Sequence, residues 1–171
     1  MHIVLITGIS GSGKSVALNV LEDTGYYCVD NLPPALLPSL VQTLLDEGTP
    51  QLAVAVDARS AESLVSLPHN VTLLRDQGHD VKVMFLTATT HSLVARFSET
   101  RRSHPLSHEL RPNHNPASRR TLIECITEER ERLSAIEQLG HVIDTSELSA
   151  NKLRAWIKDI VASERAPLTL F

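Results

Sequence analysis

An apolar, β-branched run, Ile3-Val4-Leu5-Ile6, leads directly into Gly8-Ile9-Ser10-Gly11-Ser12-Gly13-Lys14-Ser15, and helical spacing follows from Ser15 to Glu22. No other feature of the chain constrains its fold as strongly. Strand, glycine loop and helix in this order form one βα unit, with the loop at the strand's C-terminal end. The glycines let the backbone curl so that its N–H groups point inward at an anion, and the helix N-terminus adds positive potential. The spacing fits G-x-x-x-x-G-K-[ST], so Gly8, Ile9, Ser10, Gly11, Ser12, Gly13, Lys14 and Ser15 are expected to wrap a polyphosphate. Lys14 would reach the β- and γ-phosphates, and the Ser15 hydroxyl would hold Mg²⁺. The ligand implied is a nucleoside triphosphate.

The rest of the chain alternates strand-like and helical runs, which predicts a parallel α/β sheet of five strands with helices on both faces. Gly25 to Val29 reads as a second strand ending at Asp30-Asn31, and Asn31 is expected to cap the helix that Pro33-Pro34 begins. That helix carries Leu36, Leu37, Leu40, Val41, Leu44 and Leu45. Leu52 to Val56 is the third strand. Ser60 to Gln77 reads as a helix interrupted near Pro68. Val81 to Leu86 is the fourth strand, and a helix follows from Thr90 to Arg101. Ser103 to Ser118, with three prolines and three histidines, reads as a mobile loop, and with the preceding helix it makes a lid. Arg119 to Leu139 is a charged helix whose inward face is Leu122, Ile126, Leu133 and Ile136. His141 to Asp144 is a fifth strand, and Ser149 to Arg165 a closing helix packed through Leu153, Trp156, Ile157 and Ile160.

Around the loop, four apolar residues ending at Asp57 make a Walker B element, in which an acid at the end of a strand accepts a Mg²⁺-bound water. The alternative is that Asp57 caps the next helix, a role Ser60 could fill instead. Asp30, also at a strand's C-terminal edge, either positions a second substrate or caps a helix. Arg101 and Arg102, with Arg96 before them, supply cations to balance charge on a transferred phosphoryl group. Arg119 and Arg120 are a second choice. The expected catalytic set is therefore Lys14, Asp57, Arg101 and Arg102, with Ser15 and Asp57 as Mg²⁺ ligands. His104, His108 and His114 fit no zinc spacing and read as solvated. Asn151-Lys152-Leu153-Arg154 lacks the aspartate of a guanine-reading N-K-x-D motif.

The net charge of −4 argues against a domain-wide electrostatic grip on nucleic acid. No apolar stretch suits a bilayer span. Met1-His2-Ile3 runs straight into a strand, leaving no room for a signal peptide. Cys28 and Cys125 are expected to be buried, unbridged thiols, and the location cytoplasmic.

Longer strings point further. Leu21-Glu-Asp-Thr-Gly-Tyr-Tyr-Cys-Val-Asp-Asn-Leu-Pro-Pro34, Asp57-Ala-Arg-Ser60, Glu99-Thr-Arg-Arg-Ser-His-Pro-Leu106 and Val142-Ile-Asp-Thr-Ser146, together with the glycine loop, closely resemble the RapZ/YvcJ family of bacterial P-loop nucleotide-binding proteins, the RNase adapter family. The resemblance implies a kinase-like, three-layer P-loop NTPase fold over residues 1–166. Residues 167–171 would begin a C-terminal domain, since Leu168-Thr169-Leu170-Phe171 is apolar and strand-like. It also implies ATP or GTP binding with Mg²⁺ and slow hydrolysis. A second nucleotide contact would be formed by Asp57, Ala58, Arg59 and Ser60, where Ala58 replaces the family's usual valine. In the full-length protein it implies a small RNA and an RNase as partners, held mainly outside these residues. It allows a homo-oligomer and implies no membrane partner. The competing readings are a small-molecule kinase, with Asp30 as base, and a structural protein with a vestigial loop.

Overall fold

The computed structural model describes residues 1–56, 60–108 and 121–163. Five parallel strands form one sheet in the order β2-β3-β1-β4-β5. They are β1 (His2–Gly8), β2 (Tyr27–Leu32), β3 (Gln51–Val56), β4 (Asp80–Thr87) and β5 (His141–Asp144). Because β1 is central, both its faces are covered, and its residues from Ile3 to Gly8 are all buried. That explains the unbroken apolar run in the sequence, since a strand buried on both sides does not alternate.

Alternate side chains divide the core in two. Val4, Ile6, Ala53, Ala55, Met84, Leu86 and Ile143 meet α1 (Lys14–Asp23) and α6 (Ala150–Ser163) on one face. Ile3, Leu5, Leu52, Val54, Val56, Val83 and Phe85 meet the other helices. These are α2 (Leu37–Asp46), α3 (Ala61–Asp76), α4 (Thr90–Thr100) and α5 (Leu122–Glu137). The result is the three-layer, kinase-like P-loop arrangement, with the C-terminal ends of the strands along one rim.

Several local expectations need correction. Asn31 caps no helix: it lies inside β2 with a positive φ of 54°, and a 3₁₀ turn over Pro34–Leu36 comes before α2. Helix α3 runs unbroken through Pro68. One missing amide is outweighed there by the burial of Leu67, Asn70, Val71 and Leu74. Asn70 is held by donating from Nδ2 to the Pro34 carbonyl at 2.7 Å. Leu36 and Leu45 lie exposed, while Leu37, Val41 and Leu44 pack. In α6 the packed face is Leu153, Ile157 and Val161, leaving Trp156 43% exposed. Neither cysteine is in a disulfide; Cys125 is buried as expected, whereas Cys28 is only half-buried. Burial, followed by the charge of Glu22, pushes the Cys28 thiol up to about 11. Among the described residues no helix is long and apolar enough to cross a membrane.

Candidate functional site

The glycine loop spans the end of β1 and the start of α1, over a cleft of about 820 Å³. Gly8 explains why the motif opens on glycine. Its φ is +134°, and a Cβ there would lie 2.0 Å from the Leu86 carbonyl oxygen on β4. That carbonyl also accepts the Ile9 amide at 3.0 Å, so the loop departs from a fixed point. Inside the loop, the Ser12 hydroxyl donates to the Ile9 carbonyl at 2.6 Å. A lysine that reaches for phosphates is expected to lie exposed in the loop, but Lys14 is half-buried, with Nζ folded back to donate to the carbonyls of Gly8 (2.7 Å) and Ile9 (3.1 Å). Its ammonium sits at the mouth of the loop, held by the carbonyls the curl turns toward it. Ser15 is exposed on the cleft, in the first turn of α1.

Two side chains brace the loop, one just after β5 and one on α4. The Thr145 hydroxyl donates to the Ser12 carbonyl at 2.6 Å. Arg96 donates to the Gly11 carbonyl (3.1 Å), to Thr145 Oγ1 (3.0 Å) and to the Thr145 carbonyl. Arg96 is thus committed to the protein's own backbone. Next to it, Ser146 donates to the Asp144 carboxylate and accepts the Thr89 amide (2.8 Å) at the root of α4. Hydrogen bonds from Ser146, with the nearby charges of Arg96 and Arg130, hold the Asp144 carboxyl below the usual carboxylate range.

A third brace lies on α5, and the sequence reading missed it. Glu129 Oε1 accepts from the Ser10 hydroxyl at 2.6 Å, and Oε2 accepts from the Ser10 amide at 3.1 Å. Oε2 also accepts from His104 Nε2 at 2.8 Å. Both side chains are only 1% exposed. The Leu106 amide donates to His104 Nδ1 at 3.1 Å, so Nε2 carries the proton that is given to Glu129. Burial pushes the Glu129 carboxyl up. The bonds from His104 and Ser10, with the charge of Lys14, more than reverse that and leave it below the usual range.

Over residues 103–108 this corrects the reading of Ser103 to Ser118 as a mobile loop of solvated histidines. His104 is buried, a 3₁₀ turn covers Pro105–His108, and Leu106 is fully buried. Residues 109–120, with His114, Arg119 and Arg120, lie outside the described residues.

Of the other candidates, Asp30 and Asn31 line the cleft from β2, and Arg102 lines it beyond α4. Arg101 ends α4 in a left-handed conformation (φ 52°) and is exposed. Ser60 caps α3 by accepting the Ser63 amide at 3.1 Å. Asp57, Ala58 and Arg59 lie outside the described residues, as do Leu168 to Phe171. Among the described residues, no group of three His, Cys, Asp or Glu side chains is placed to hold a metal ion.

Residues 1–165 match the RapZ-like N-terminal domain. A nucleotide-binding protein of Herminiimonas arsenicoxydans is 65% identical over 99% of the chain, and one of Janthinobacterium sp. (strain Marseille) is 63% identical over 99%. The chain spans 59% of the length of each of these relatives. Among solved structures, shikimate kinase from Acinetobacter baumannii superposes with a TM-score of 0.58, covering 96% of this chain and 95% of that one at 14% identity. Thymidylate kinase from Candida albicans gives 0.53, covering 95% and 92% at 12% identity. These likenesses at low identity place the fold among P-loop kinases.

Proposed function

The chain belongs to the RapZ-like family through its N-terminal domain, and on that footing we propose that it is a nucleotide-binding module that takes ATP or GTP with Mg²⁺ and hydrolyses it slowly. One observation carries this reading: the glycine loop, with the Lys14 ammonium at its mouth, opens on a cleft of about 820 Å³. That volume lies in the range of roughly 300–1,000 Å³ typical of small-ligand sites. The names of the relatives agree with it. On binding, the amides from Gly8 to Ser15 take the phosphates, and Lys14 exchanges its carbonyl partners for phosphate oxygens. Mg²⁺ is held by the Ser15 hydroxyl and Asp57, which are oxygen donors suited to a hard cation. Asp57, Ala58, Arg59 and Ser60 form a second nucleotide contact. Arg101 and Arg102 balance the charge of the phosphates.

In this reading the folded unit ends near residue 166, and residues 167–171 lead into a further domain, in keeping with the greater length of the relatives. The whole protein would then work in the cytoplasm, presenting a small RNA to an RNase and controlling amino-sugar synthesis. RNA contacts would lie mainly beyond this module. Calorimetric titration with ATP and GTP, with and without Mg²⁺, tests the proposal. Lys14→Ala is expected to weaken affinity by roughly 10- to 100-fold while the far-UV spectrum stays native. Asp57→Ala should depress Mg²⁺-dependent hydrolysis more than binding. Failure of the unaltered chain to retain either triphosphate would overturn the reading.

The position of Asp30 on the same cleft favours one second reading, a small-molecule kinase in which Asp30 takes the acceptor's proton. A metabolite that accelerates ADP formation and is itself phosphorylated would establish it over the regulatory module.

A further inference from the structure

Ser10, the third residue of the loop, makes no hydrogen bond to the loop itself among those described; its amide and hydroxyl both turn to α5. Their common acceptor, Glu129, is a carboxylate removed from water and lining the cleft. Such a placement carries a desolvation cost and opposes an incoming phosphate. A proton-accepting role fits poorly, because three donors already converge on the carboxylate and favour its charged form. The geometry suits a mechanical role instead. His104 fixes the carboxylate, and His104 is itself oriented by the amide of the fully buried Leu106.

Resting on the nucleotide-binding reading above, we propose that Glu129 is a positioning residue for the phosphate loop, holding Ser10 in the conformation that receives a triphosphate, with His104 holding Glu129. The charge of Glu129 is then incidental to its task, and its hydrogen-bonding pattern is what matters. Glutamine separates the two. With its carbonyl in the place of Oε2 it accepts from the Ser10 amide and from His104. Its amide group then donates to Ser10 Oγ, whose hydroxyl simply turns around. Alanine removes all three bonds.

The experiment is calorimetric titration of the unaltered protein, Glu129→Gln, Glu129→Ala and His104→Ala with Mg²⁺-ATP and Mg²⁺-GTP, with circular dichroism as the check of folding. Glu129→Ala should weaken binding by roughly tenfold or more, and His104→Ala should fall between it and the unaltered protein. Glu129→Gln should stay within about threefold of the unaltered protein or bind more tightly, because one repulsive charge has gone. Phosphate release by Glu129→Gln, followed alongside the titrations, should be retained as well, an outcome that a general-base role would not give because its turnover would collapse while binding persisted. Native-like Glu129→Ala with unchanged affinity overturns the proposal, as does a glutamine variant as weak as alanine. If Glu129→Ala fails to fold, glutamine and His104→Ala decide by the same criteria. Binding by the unaltered protein and Glu129→Ala alike removes this proposal alone, whereas no binding by the unaltered protein removes the nucleotide reading and this proposal with it.

Discussion

Replacing Gly8 by alanine measures how firmly the loop's first residue is clamped between β1 and β4. The new Cβ would stand 2.0 Å from the Leu86 carbonyl oxygen, 2.7 Å from its nitrogen and 2.8 Å from its carbonyl carbon. All three are backbone atoms and cannot swing aside. An ordinary carbon–oxygen contact is about 3.3 Å, so the strands must part locally by about 1 Å. Parting them weakens the pairing of Thr7 with Phe85 and Gly8 with Leu86, together with the bond from the Ile9 amide. Two or three hydrogen bonds at about 1 kcal/mol each, plus about 1–2 kcal/mol for a positive φ, come to about 4 kcal/mol. Gly25→Ala is the control, since Gly25 also has a positive φ (+95°) but nothing lies within 4 Å of its Cβ. It should lose only the backbone strain, about 1–2 kcal/mol. At about 2–4 °C per kcal/mol for a chain of this size, thermal melts followed by circular dichroism should separate the two variants by several degrees. Variants melting at the same temperature would refute the view that β4 clamps the loop.

Acidification should reveal Glu129, whose folded-state carboxyl is held below its ordinary value. Its contribution to stability is present above the unfolded glutamate pKa and is lost as pH falls through the lower folded one. The melting advantage of the unaltered protein over Glu129→Ala should therefore shrink on acidification below that range, as scanning calorimetry would show. Cys28 runs the other way: with its thiol raised from 9.0 to about 11, its contribution is intact below pH 9.0 and is lost as pH rises through about 11. Iodoacetamide should accordingly label Cys28 in the folded protein far more slowly than in urea, as mass spectrometry would resolve. Asn70→Ala deletes the donor to the Pro34 carbonyl and should cost about 1–3 kcal/mol in urea unfolding.

What the sequence made legible follows from burial. β1, β3 and residues 83–86 of β4 announce themselves because strands covered on both faces are continuous apolar runs, and the glycine loop is fixed by its spacing. Asn31 and Pro68 were misread because tertiary packing overrode local propensity at both. His104 was misread because prolines and histidines suggest solvent when the partner across the fold is unknown. A signal for that partner was nevertheless present. Along α5 the inward stripe Leu122, Ile126, Leu133 and Ile136 leaves a gap at the seventh residue from Leu122, and Glu129 fills it. An acid on an apolar stripe asks for a buried partner. The abundance of Glu and Arg on the helix concealed it, since none of the others is buried.

The residue after Glu129 reaches elsewhere: Arg130 donates to Thr87 Oγ1 at 3.0 Å and to the Ala88 carbonyl at 2.7 Å, where β4 gives way to α4. One helix therefore has two adjacent handholds, one on the curl below α1 and one at the hinge from which α4 springs. The phosphate curl and the root of α4 are thereby tied to neighbouring residues of one helix, whose outer flank carries Ile123 in solvent.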